Sequence, residues 1–130
     1  MKKLIFITLL TLFSLNLVAS EVSTLKCQNE DKGITFIKTK TENSDTLNGI
    51  FLEDLIPADF CDTKEELSDI LAANISDLEN VQGACVSITT NGGDGELAIL
   101  RLIEGQFKAE FKTILVEEPS KAKGQLLDCK

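Results

Sequence analysis

The chain has 130 residues, with 13 lysine or arginine side chains against 21 aspartate or glutamate, and it contains no His, Trp or Tyr. Those absences exclude Ser-His-Asp and Cys-His catalytic pairs and imidazole-bound zinc or haem, and they leave neither Trp nor Tyr to stack on sugars or bases. The acidic excess repels nucleic acid and anionic membranes and draws in cationic surfaces.

Lys2 and Lys3 followed by the mostly apolar run Leu4 to Val18, with small residues at Val18-Ala19-Ser20, read as a signal peptide over residues 1–20. The run is too short for a comfortable membrane span, and Cys27 lies well past the cleavage point, so neither an anchor nor lipidation is expected. Residues 21–130 then form one small domain, with 11 basic residues against 21 acidic ones and a net charge of −10. The expected location is periplasmic or secreted, without membrane insertion after cleavage.

Thr24 to Gln28 is a short strand, Asn29 to Gly33 supplies a turn, and Ile34 to Lys40 alternates as a second strand. Leu47 to Leu52 is a third, with Gly49 marking a bulge or a close backbone approach. Pro57 ends that region, and the stretch 55–61 reads as an apolar loop with Ile56 and Phe60 directed into the core. Asp62 with Glu65, and Thr63 with Glu66, offer two capping boxes, and Leu67, Ile70, Leu71, Ile75 and Leu78 recur at helical spacing before Gly83. One helix around residues 63–79 is expected, with a kink or break near Asn74. Strands follow at Ala84 to Thr90, Leu97 to Ile103, Phe107 to Val116 and Gln125 to Cys129. Leu97 to Ile103 is apolar on both faces and belongs at the centre of its sheet, whereas Phe107, Ala109 and Phe111 alternate with Lys108, Glu110 and Lys112. The fold class is α+β, a curled antiparallel β-sheet carrying one helix, in which a meeting of first and last strands would close a small barrel.

Cys27, Cys61, Cys85 and Cys129 are an even set with no CxxC, so two disulfides are expected and redox or zinc chemistry is not. Of the three pairings, Cys27 with Cys129 and Cys61 with Cys85 is favoured, because the first joins the terminal strands and the second brackets the helix.

The loop Asn91-Gly92-Gly93-Asp94-Gly95-Glu96 offers oxygens of the kind that hold calcium, but the spacing fits no calcium motif and a hairpin connection accounts for its composition. Asn91, Asp94 and Glu96 remain candidates for a binding loop, as does the stretch Pro119 to Gly124. Arg101, the one arginine, lies in the most apolar strand. It suits an anion anchor, although the excess of acids favours pairing with an internal carboxylate. The acid pairs Glu53-Asp54 and Glu117-Glu118 point to opposite faces if extended and read as solvated charge. Asn74-Ile75-Ser76 matches a glycosylation sequon within the expected helix.

No catalytic residue, metal or cofactor is expected. The reading is a non-enzymatic exported binding protein, monomeric, that engages a cationic protein partner and not nucleic acid. One concrete version is an inhibitor of a cationic hydrolase such as a lysozyme or protease. The alternatives are a structural accessory of the cell envelope, pairing through a sheet edge such as Ile34 to Lys40, and a small carboxylate- or metal-dependent enzyme.

Overall fold

Runs of β-branched and aromatic residues separated by Asn- and Gly-bearing turns make antiparallel ladders the inexpensive way to satisfy this backbone. The computed structural model describes residues 20–52, 55–88, 94–115 and 117–130, so most of the segment expected to be a signal peptide, the acid pair Glu53-Asp54 and the loop residue Asn91 lie outside the described residues. Strands β1 (Ser20–Gln28), β2 (Gly33–Thr41), β3 (Asp45–Phe51) and β4 (Ile56–Pro57) form a first sheet in that order. Strands β5 (Phe60–Thr63), β6 (Val81–Ile88), β7 (Gly95–Ile103), β8 (Gln106–Ile114) and β9 (Gln125–Asp128) form a second, also in chain order. All pairings are antiparallel. Glu104 and Gly105, both at positive φ, make the two-residue turn between β7 and β8, the conformation that matches strand twist.

The alternation along each strand divides the core in two. Ile34, Phe36, Leu47 and Phe51 of the first sheet meet Ala98, Leu100, Ala109, Phe111 and Leu127 of the second. Leu97, Ile99 and Ile114 point the other way and are covered, with Ala84 and Val86, by Leu71 and Ile75. Each large apolar side chain fully buried contributes about 1.5 to 3 kcal/mol, so both faces of β7 stabilise the domain and the central position expected for it is the one observed. Two glycines permit the close approach of the sheets: a Cβ on Gly49 would lie 2.7 Å from the Cys85 sulfur, and one on Gly83 2.5 Å from a methyl of Leu47.

The disulfides are Cys27–Cys129 and Cys61–Cys85, the favoured pairing. They fit an oxidising compartment, extracellular or periplasmic. Among the described residues no helix is long and apolar enough to cross a membrane.

Three expectations need correction. The two sheets do not join into a closed barrel: first and last strands meet only at a Cys27–Cys129 bridge, with Lys26 and Lys130 exchanging backbone bonds of 3.3 and 2.9 Å. The helix over 63–79 contracts to a 3-10 turn, Lys64–Glu66, and a short α1 (Asp69–Ala73). Neither capping box forms. Asp62 instead accepts from the Ser68 N–H, Ser68 caps α1 by accepting from the Leu71 N–H, and the Asn74 amide donates to the Ile70 carbonyl at 2.8 Å, closing the helix near Asn74, where a break was expected. Leu78 falls outside the shortened helix, and both it and Ile70 are exposed. Finally, the stretch 55–61 is not a loop but carries β4 and the start of β5, leaving Ile56 48% exposed while Phe60 packs on the outer cluster.

Candidate functional site

Asx and glycine chemistry at two turns brings a charged rim to one end of the gap between the sheets. Asn29 accepts from the backbone N–H groups of Asp31 and Lys32, both at 2.9 Å, which fixes the turn and presents Lys32 at the start of β2. Opposite, the start of β7 presents Asp94, Gly95 and Glu96. A Cβ on Gly95 would stand 2.6 Å from the Ser87 carbonyl, and one on Gly33 2.7 Å from Leu52, so both backbones approach their neighbours only as glycine. Between these turns lies a half-open cleft of about 240 Å³, lined by Phe51, Ile56 and Phe111 below and by Lys32, Asp94 and Glu96 at the rim.

The two rings of the floor are buried and the charges of the rim are partly exposed. Phe51 and Phe111 meet edge to face, their ring centroids 6.2 Å apart. Lys32 Nζ stands 5.8 Å from the Phe111 centroid and 3.4 Å from a Glu96 carboxylate oxygen, so one ammonium serves both a ring face and an acid. Of the three candidate loop residues, Asp94 and Glu96 therefore come together at the cleft. Lys32, Phe51 and Phe111 carry no local signal of this role, because they come from three strands that only the sheet packing brings together.

Arg101 has a different setting. Its Nε donates to Glu110 at 2.8 Å, and its Nη1 donates to the Asp77 carbonyl at 2.8 Å and to the Asn80 side-chain oxygen. The second oxygen of Glu110 accepts from the Gly124 N–H at 2.9 Å. Arginine and glutamate are both buried on the outer face of the second sheet, which residues 67–80 and 120–124 cover. The arrangement is the internal ion pair, and it ties β7 and β8 to the turn before β6 and to the lead-in to β9.

Lys112, next on that face, donates to the carbonyls of Asn74, Ser120 and Ala122, and Ser120 N–H donates to the Asn74 side chain at 3.4 Å. The Pro119 to Gly124 stretch is thus held from inside the domain. Burial pushes the Lys112 amine below the ordinary lysine value, Glu110 opposes that shift, and Arg101 adds to it. Asn74, the sequon residue, is buried with its amide engaged, which closes it to modification in the folded state. Glu117 and Glu118 are exposed. Among the described residues no three Asp, Glu, Cys or His side chains gather closely enough to hold a metal ion. Compared with protein-family models, with curated proteins and with solved structures, the chain matches none.

Proposed function

We propose that this is an exported, non-enzymatic binding protein whose cleft receives a basic side chain of a cationic protein partner, in its most concrete form an inhibitor seated on a cationic hydrolase. One observation carries the reading: an apolar aromatic floor lies under two carboxylates, Asp94 and Glu96, and the second is held by a single half-buried lysine at 3.4 Å. An arginine or lysine entering from a partner would lie over Phe111, take the Lys32 position beside Glu96 and exchange one ion pair for another. The exchange costs little because the existing pair is solvated and worth about 0 to 1 kcal/mol. The net charge of residues 21–130 steers such a partner from a distance, and the two disulfides keep the scaffold from losing entropy on binding.

Isothermal titration with a cationic lysozyme and with an arginine-rich peptide, at low and high salt, tests this. Binding is expected to weaken with salt and to fall at least tenfold in the Asp94→Asn, Glu96→Gln double variant, while Lys32→Met strengthens it by removing the internal competitor. Absent binding of both probes, or binding that salt and the double variant leave unchanged, overturns the proposal.

A further inference from the structure

An edge strand shows a row of unpaired backbone groups, and proteins ordinarily blunt such edges by shortness, proline, charge or a bulge. Three of the four edges here follow that practice: β4 has two residues and contains Pro57, and β5 and β9 have four each. β1 does not. It runs nine residues in continuous register with β2, without a bulge. Its outer neighbour β9 reaches it only at Cys27, where Lys26 N–H and C=O bond to Lys130. In an antiparallel ladder alternate residues bond to alternate sides, so Thr24 and Val22 aim their N–H and C=O to the same side as Lys26. No described strand lies opposite them. Val22 is 66% exposed, and no proline or charge stands between it and Thr24. The segment Ile34 to Lys40, the edge that the sequence suggests for such pairing, is closed, because β2 lies between β1 and β3.

A groove of about 610 Å³ is lined by every residue from Glu21 to Leu25, so it follows the strand edge and not one face alone. Val22, Leu25, Leu100 and Phe107 supply its apolar part, and of its charged side chains Lys40 stands in register between Glu21 and Asp45, so those acids have a cation beside them. Lys38, directly across from Ser23 on β2, lines it too and makes no ion pair with a described residue.

We propose that the free edge of β1 takes an extended segment of a partner protein as an added antiparallel strand, with an apolar side chain opposite Leu25 and a carboxylate opposite Ser23. The backbone of Thr24 and Val22 supplies affinity, and the groove reads the inward side chains at every second position. The apolar residue lies toward Leu100 and Phe107, and the carboxylate reaches Lys38 across β1. The orientation continues that of β9, whose meeting with β1 is antiparallel. This surface is separate from the cleft at Glu96, and the proposal stands or falls independently of it.

The test uses the intact domain and an amidated peptide Leu-Thr-Glu-Val-Thr with a free amino terminus, since Lys130 already stands opposite Lys26, and it is read by amide hydrogen exchange. The Val22 and Thr24 amides are expected to exchange rapidly alone and at least tenfold more slowly with saturating peptide. Methylating the peptide nitrogens of its second and fourth residues should abolish the effect, and exchanging its Glu for Lys should weaken it at least tenfold. Thr24→Pro should abolish binding while the melting temperature stays close to that of the parent, since the Thr24 N–H is outside the β1–β2 ladder. Absence of protection, or equal protection by the methylated peptide, overturns the proposal. So does concentration-dependent protection without peptide, which would make a second copy of this chain the occupant.

Discussion

Two ion pairs at two ends of β7 show how the same chemistry takes opposite roles. Arg101 and Glu110 meet at 2.8 Å with side chains 5% and 6% exposed, and each has further partners. Lys32 and Glu96 meet at 3.4 Å with side chains 29% and 35% exposed. A buried pair is costly to break because the survivor keeps an uncompensated charge, whereas a rim pair is exchanged at little cost. The first pair fastens the scaffold, and the second is the one whose loss costs little. The cleft rim is therefore the better candidate site, although Arg101 is the residue that stands out more in the sequence.

The largest expected effect tests the scaffold on which both pairs depend. Replacing all four cysteines by alanine removes closures with sequence separations of 102 and 24 residues, contributing roughly 3 to 5 kcal/mol each in the loop-entropy account. That sum approaches the whole stability of a small domain, so circular dichroism should show the variant largely unfolded at ambient temperature. Next, Arg101→Met should cost about 3 to 5 kcal/mol in urea denaturation by leaving Glu110 buried without its ion-pair partner, and adding Glu110→Leu should recover much of the loss. If the single variant were as stable as the parent, the contrast between the two pairs would be void.

Lys112 sharpens the contrast through pH. Its folded proton affinity lies below the ordinary value of 10.5, so the unfolded chain binds more protons between the folded and ordinary values, and stability from this group rises with pH across that window. The penalty is fully present below the folded value and relieved above 10.5. Lys112→Met should therefore lack an alkaline rise in stability that the parent shows in parallel denaturation series. The smallest effect belongs to the rim: Glu96→Gln should change stability by about 0 to 1 kcal/mol and lose even that in high salt.

Local patterns in the chain were informative where a residue's neighbours decide its fate. The alternation over Ile34 to Lys40 and the double-sided apolarity of Leu97 to Ile103 correspond to strands with the expected burial. The helix expected over residues 63–79 shrinks to Asp69–Ala73 after a 3-10 turn because Asp62, Ser68 and Asn74 spend their side chains on nearby backbone, and a stripe of apolar residues does not reveal that competition. Lys108, Glu110 and Lys112 look like a wet face by alternation. Yet Glu110 is buried, because residues distant in sequence cover it. The cleft was half legible: Asp94 and Glu96 stood out as a polar loop, but its aromatic floor comes from β3 and β8.

By itself the sequence determined the acidic character, the lack of imidazole chemistry, the strand-rich antiparallel plan and a cysteine set suited to two cross-links, because these depend on composition and on periodicities of a few residues. Only the tertiary structure decided which charges are sealed and which lie at a rim, which strand edge faces no other described strand, and whether the sheets close. Those properties depend on desolvation and on backbone pairing between segments far apart in the chain, and no local spacing encodes them.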